Sequence, residues 1–461
     1  MTDTKFSSMS DNPMRTYPTP FVAQMNTLLG SQAEAFWKEL SQGEPYRAVR
    51  LNPLKATLQT LREALPFVLP PTPTPFSSLS FYVPASARLG ALGAFHSGMF
   101  YAQEPSAAAA VTVLDPQPGE RILDLCASPG GKSSQIAALT GDKGLLWSNE
   151  IDWGRMQILD SNLERMGIMN RVVSCAHPAQ LCAETAGQFD RVLVDAPCSG
   201  EGMFRRDTQA IAQWSIQAQK ACAIRQSEIL ESAAQALRPG GILVYSTCTF
   251  SPTENEDVIE SFLLRHKEFV PDFPAHITFG SPALRGLPAR RITPVHGGEG
   301  HFVARLKKAG DDRMSQPDMK LMPCREKDYF GFIEHTFDQP PKGKAYMIKD
   351  GRVLLIDGEL PAGLSAVRLL SAGVYAGDML KGRFAPAHSL FMAAHGGTYR
   401  NAIELAPDDL RLDAFLRGNT IGISGGLKGY MPLCVGGFPV GFGKAVEGTL
   451  KNHIPKGLRR V

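Results

Sequence analysis

Two apolar runs, 50 residues apart, each end in a thiol. VLVDAPCSGEG puts Asp195 and Cys198 in a proline-constrained turn, and ILVYSTCTFSPTENE puts Cys248 at the tip of a second strand-like run. Two thiols at neighbouring strand ends, both facing one crevice, are hard to explain as packing. Methylation of a pyrimidine at C5 explains them. C5 of cytosine is a poor nucleophile, so a thiolate first adds to C6, making C5 enamine-like and able to attack a sulfonium methyl group. A carboxyl group of raised pKa beside the base can protonate or hydrogen-bond N3 and ease the addition, and Asp195 is placed for it. A base must then remove the C5 proton so that sulfur leaves, a step the second cysteine could take or assist.

A methyl donor needs a binding turn, and LDLCASPGGKSSQ (residues 123–135) offers one. Its GGKSS end looks like a phosphate loop, but that loop needs a glycine five positions before Gly131, where Cys126 stands. What remains is a strand, a turn of small residues (Cys126, Ala127, Ser128, Pro129, Gly130, Gly131) that admits close backbone approach, and a helix opening near Lys132. Twenty residues after Gly130, Glu150 ends the next strand, where a carboxylate accepts ribose hydroxyls. A surface acid is the plainer reading of Glu150, and a nicotinamide or an adenosine ligand would satisfy this much.

The elements that must position these groups alternate. ERILDLC, GLLWSNEID, RVVSCA, FDRVLVDA and GGILVYST read as short apolar strands, separated by helical segments that include a long helical stretch from about Thr208 to Leu237. Such alternation predicts an α/β fold with a parallel sheet covered on both faces and a site at the strands' carboxyl ends. Residues 18–60 read as helical with a strand-like end, and the proline-rich PFVLPPTPTPFS (66–77) interrupts any element. AGDDRMSQPDMK (309–320) reads as a linker, and the glycine-rich stretch from about 411 to 445 as a compact β-barrel-like module. The expected division is 1–100, 101–308, 309–385 and 386–461.

With 461 residues, 43% hydrophobic and 20% charged, the chain has a globular composition. No run reaches membrane-span length and no signal-peptide core opens the chain, so a cytoplasmic protein without a membrane partner is expected. Eight scattered cysteines do not form a disulfide framework. A net charge of +3 is too small to declare a polyanion partner, although the tail 444–461 concentrates basic residues that are equally well read as a solvated terminus.

CASPGGK (126–132), DAPCSGEG (195–202), PGG with its following strand, and STCTFSPTENE (246–256) together resemble the NOL1/NOP2/Sun family of RNA cytosine-C5 methyltransferases. YRAVRLNPLK and GMFYAQEPSAA resemble that family's N-terminal RNA-contacting extension, and GFPVGFGKAVEGTLKNHIPKGLR resembles the C-terminal module of its bacterial 16S ribosomal RNA branch. The resemblance implies a Rossmann-like core that uses S-adenosyl-L-methionine, an N-terminal α/β extension, a small α/β segment and a PUA-like β module. It implies that the cofactor lies against Cys126 to Lys132, with Glu150 on its ribose and Asp195 near the methionine moiety and target base. It implies that Cys248 is the nucleophile and that Cys198 helps release the product. The partner would be RNA, with 16S ribosomal RNA or the small subunit favoured and transfer RNA the nearest alternative. An RNA-binding assembly factor without catalysis is the rival from another class, weakened by the intact Asp195, Cys198 and Cys248.

The family usually carries an acid on the cofactor's adenine where this chain has His177, which can still make one hydrogen bond. Cys175, His177 and Cys182 lack the second ligand pair of a zinc site, so no metal is expected, and Cys175, Cys182, Cys222, Cys324 and Cys434 read as small buried hydrophobes. Lys132 reads equally as an orienting group for Asp195 or the base and as a solvated lysine. Arg205 and Arg206 stand where an RNA backbone would pass, although a salt-bridged helix start explains them comparably well. Lys451, Lys456 and Arg459 would extend a basic surface whose affinity falls with salt.

Overall fold

The computed structural model describes residues 17–311, 321–348, 350–358, 360–361, 363–394 and 398–460. Residues 1–16 and most of the expected linker at 309–320 lie outside the described residues. Helices Thr19–Leu29 and Ala33–Gln42 lead into β1 (Ala48–Leu51), which pairs antiparallel with β2 (Ser80–Tyr82) and β3 (Phe100–Gln103).

The central sheet contains β4 (Arg121–Asp124), β5 (Leu145–Asn149), β6 (Arg171–Cys175), β7 (Phe189–Asp195) and β8 (Leu237–Thr247), all parallel, as the alternation predicts. β9 (Phe269–Pro271), β10 (Ser281–Pro282), β11 (Ala289–Ile292) and β12 (His301–Lys308) follow, and β12 lies antiparallel beside β8. Across the sheet the order is β10-β11-β12-β8-β7-β4-β5-β6. Side chains alternate across it. Leu123, Val192, Val194, Leu243 and Tyr245 pack on one face with the helices around Leu230 and Phe262, while Ile122, Leu193, Ile242 and Val244 pack on the other with the helices around Val111, Ile136 and Leu159.

The expected helical stretch is there, as two helices, Thr208–Gln213 and Ile216–Ala236. Each has its own N-cap: Asp207 accepts from the Gln209 amide, and Ser215 from the Ala218 amide at 3.0 Å. The break turns Trp214 inward, where its indole donates to Glu201.

Beyond residue 320, one four-stranded antiparallel sheet spans 344–386, and a five-stranded sheet spans 403–452. Leu410–Leu416, placed by sequence at the start of the glycine-rich strand region, is a helix capped by Asp409. The strand Arg368–Ala372 leaves this C-terminal region and pairs with β6 in the central sheet. Among the described residues no helix is long and apolar enough to cross a membrane.

Candidate active site

The carboxyl ends of β4, β5, β7 and β8 converge. At the tip of β4 the chain turns through Leu125 to Gly130 and enters the helix Gly131–Thr140. Gly130 caps that helix in the left-handed region (φ 102°), and a Cβ there would lie 3.1 Å from Leu159 Cδ1, so glycine serves both the turn and the packing. The turn is stitched to its neighbours. The Ala127 amide donates to Asn149 O (2.8 Å), and Asn162 Nδ2 donates to Pro129 O (2.9 Å). Arg50 of β1, fully buried, donates to Gly131 O (2.7 Å) and Ser134 Oγ (2.6 Å). Arg50 and Lys55, within the stretch expected to touch RNA, are thus structural; Lys55 donates to Met392 O at 2.6 Å.

Three carboxylates face this turn. Asp124 is fully buried and burial pushes its pKa up to about 7; Ser133 Oγ donates to its Oδ2 (2.7 Å), and its Oδ1 has no protein partner. Glu150 is 3% exposed, with Oε1 accepting from the Asp152 amide (3.1 Å) and Oε2 lying 3.5 Å from Arg155. A carboxylate so placed keeps free acceptor positions for a vicinal diol. Burial, with Asp124, Asp195 and Glu150 adding to it, holds the Cys126 thiol well above its usual pKa and so protonated. His177 is exposed at the N-cap of the helix Pro178–Glu184, its Nδ1 accepting from the Ala179 amide (3.3 Å).

Asp195 ends β7. Lys132 Nζ donates to its Oδ2 (2.7 Å), Ser246 Oγ donates to its Oδ1 (2.8 Å), and His301 Nε2 lies 3.8 Å away. Burial acts to raise the Asp195 pKa, yet the Lys132 and His301 side chains outweigh it and hold the carboxyl well below the usual carboxylate range. This corrects the expectation of a raised carboxyl: Asp195 is an acceptor, paired to Lys132, whose side chain is an orienting group and not a solvated lysine. Burial opposes the charge of Lys132 as well, but Asp195 raises its pKa, so the ammonium persists.

The two thiols meet. Cys198 Sγ and Cys248 Sγ are 3.3 Å apart, both free and partly buried. Contact with Cys248, then burial, then Glu254 push the Cys198 thiol far up. The turns carrying them are tied together by two acids that sequence reasoning passes over. Glu254 accepts from the Ser199 amide (2.8 Å) and from Gln226 (3.1 Å), which also holds Pro197 O. Glu201 accepts from the Phe250 amide (2.8 Å), and the Gly202 amide donates to Cys248 O (2.8 Å). The only signal for Glu254 in sequence is its place in SPTENE.

Arg205 is not available to RNA. It is 2% exposed and forks onto Glu299 at 2.7 and 2.8 Å, because Glu299 lies on the loop before β12 and both charges are buried there. Arg206 is exposed beside the cysteine turn, donating to Tyr46 O (3.2 Å). Lys451 and Lys456 are exposed, whereas Arg459 is partly buried and donates to Ile454 O (3.0 Å). Of the five remaining cysteines, Cys182, Cys324 and Cys434 are buried as expected; Cys175 and Cys222 are partly exposed, Cys175 donating to Ile151 O.

Comparison with known proteins covers nearly the whole chain. Residues 111–307 match the 16S rRNA methyltransferase RsmB/F family, 17–105 the N-terminal domain of 16S rRNA methyltransferase RsmF, 331–393 the RsmF rRNA methyltransferase first C-terminal domain, and 402–460 the methyltransferase RsmF PUA domain. The ribosomal RNA small subunit methyltransferase F of Erwinia tasmaniensis is 30% identical, aligned over 96% of this chain and 97% of the relative. Its Shewanella amazonensis counterpart is 30% identical over 91% and 93%. Among solved structures, a methyltransferase homolog from Pyrococcus horikoshii is 30% identical with a TM-score of 0.55, covering 63% of this chain and 95% of that one. NSun6 from the same organism, 22% identical with a TM-score of 0.54, shares the fold over 64% and 99%. With these matches running from residue 17 to 460, the chain belongs to the RsmB/F (NOL1/NOP2/Sun) family of S-adenosylmethionine-dependent RNA methyltransferases.

Proposed function

We propose that the protein methylates C5 of a cytosine in 16S ribosomal RNA, with Cys248 as the nucleophile and Cys198 as the residue that resolves the adduct. The observation that carries this reading is the pair of free thiols 3.3 Å apart at the strand tips. The names of relatives aligned over nearly their full length and the matching RsmF terminal domains support 16S ribosomal RNA as the substrate.

S-adenosylmethionine, when bound, supplies an electrophilic methyl group. The turn 126–131, the Glu150 carboxylate and the buried, unpartnered Asp124 Oδ1 suit a ligand with a ribose diol and an amine. Cys248 adds to C6 of the flipped base, opening the C5–C6 double bond. The Lys132 ammonium holds the Asp195 carboxylate, which accepts from the cytosine amino group. Contact with Cys248 is the first cause that holds the Cys198 proton, and that contact changes once the Cys248 sulfur is bonded to C6; Cys198 then releases its proton to solvent and takes the C5 proton, after which C5=C6 reforms and the Cys248 sulfur departs as a thiolate.

A denaturing gel of wild type, Cys198→Ala and Cys248→Ala protein expressed in cells tests the assignment. An RNA adduct that survives denaturation in Cys198→Ala alone, sequenced as 16S ribosomal RNA, is the expected result. An adduct only in Cys248→Ala exchanges the two roles. No adduct in any protein, with no methyl transfer by wild type, leaves a binding factor in place of an enzyme.

A further inference from the structure

His301 opens β12, which runs antiparallel beside β8 in a register that pairs Phe302 with Thr247 and so sets His301 opposite Cys248. Its side chain is 4% exposed. Nδ1 lies 2.9 Å from Gly300 O, so Nδ1 carries a proton and donates it. Nε2 is buried, without a hydrogen-bond partner, and faces Asp195 Oδ1 at 3.8 Å. Nε2 is the buried atom left without a partner, and the group it faces is the Asp195 carboxylate, whose Oδ1 already accepts from Ser246.

The surroundings leave few other partners. Asp195 on β7 faces the ring, with Lys132 of the cofactor helix and the Ser246 hydroxyl on the same carboxylate. Cys248 stands at the tip of β8. On β11, Ile292 is the register partner, and neighbouring Arg291 is committed to Glu256. Glu299, two residues upstream, is committed to Arg205, and Glu104 accepts from the Glu299 amide.

We propose that His301 is the proton-carrying partner of Asp195. Through that carboxylate it supplies the proton that the target base takes up at N3 when the Cys248 sulfur adds to C6, and it takes the proton back on release. The inference rests on the cysteine roles proposed above. As the S–C6 bond forms, the C5–C6 π electrons move toward N3. The proton passes from Nε2 to the Asp195 carboxylate and from there on to N3, leaving a neutral imidazole and the carboxylate ionised again. When the C5 proton has gone and the S–C6 bond breaks, the N3 proton returns by the same route, and no proton is gained or lost by the pair over a turnover. Lys132 is nearer, but its proton is held more tightly than an ordinary lysine's, and an acid works best when it exchanges its proton near the operating pH. Imidazole is the side chain made for that range. His301 is thus a positioning residue acting through Asp195.

The test combines His301→Gln and His301→Phe with Cys198→Ala, and follows adduct formation against pH at saturating RNA and cofactor. Adduct formation slows on the order of 100-fold in both variants and loses the pH limb seen with His301 present, while melting temperature and the dissociation constants for cofactor and RNA stay within about 2-fold. His301→Gln keeping both rate and pH limb overturns the proposal. A second readout needs neither cofactor nor RNA: the pH titration of the His301 ring proton, followed by nuclear magnetic resonance in the free protein, moves on Asp195→Asn. An unmoved titration also overturns the proposal. If Cys198→Ala forms no adduct even with His301 intact, the cysteine assignment has failed, and the ring titration alone decides whether His301 and Asp195 are coupled.

Discussion

The cofactor turn and the cysteine pair lie at the same end of one sheet but are assembled differently. The turn is a single run from Cys126 to Lys132, shaped by its own glycines and braced from outside by Arg50. The cysteine pair comes from two turns 50 residues apart, and what joins them is a buried carboxyl group, Glu254, with Gln226 and Ser199 around it. The turn leans on one buried cation from the N-terminal sheet, whereas the cysteine pair depends on a few long-range hydrogen bonds through Glu254.

That contrast can be broken in order of effect. Glu254→Ala strands the Ser199 and Gln226 donors in a buried site and lowers stability by about 3 kcal/mol. Methyl transfer is lost while cofactor affinity, measured by calorimetry, stays within about 2-fold; a large loss of cofactor binding would join the two regions into one. Arg50→Met gives the opposite pattern. Gly131 O and Ser134 Oγ lose the guanidinium and keep only each other, cofactor affinity falls about 10-fold, and RNA affinity is unchanged in a filter-binding titration. Asp124→Asn has the smallest effect and reverses the usual sign. The raised folded pKa, about 7, means that Asp124 holds a proton in the folded chain that it releases on unfolding, so its contribution to stability falls as pH rises from about 4 to 7. The amide keeps an acceptor for Ser133, and melting temperature should rise by about 2 °C at pH 8 with no gain at pH 4.

The same contrast explains what could be read from the sequence. The five parallel strands, the turn after β4 and both cysteine tips show in local patterns: alternating apolar residues, glycines at a strand end, a proline before a thiol. Arg205 is misread because its partner, Glu299, lies 94 positions away and no local pattern links them. His301 carries no motif; it matters only because the β8–β12 register sets it against the catalytic tips. Two N-caps, Asp207 and Ser215, do mark the helix break at Trp214, but the apolar spacing continues across it and hides the signal. Asp195 is recognised by position yet assigned the wrong charge, since the effect of Lys132 depends on a 2.7 Å contact.

The strand Arg368–Ala372, which completes the catalytic sheet alongside β6, has a consequence for how the chain can be divided. It is fastened there by Arg368 stacked on Trp153 at 3.5 Å and by Ser371 donating to Asp160 at 2.6 Å. A fragment cut after Lys308 keeps every catalytic motif but exposes the bare edge of β6, with Val172 and Val173 beside unpaired amides and carbonyls. Such an edge invites pairing with another copy and aggregation. Cutting this chain after Lys308 therefore costs it solubility before it costs it chemistry, because the segment beyond residue 320 supplies the strand that covers the β6 edge.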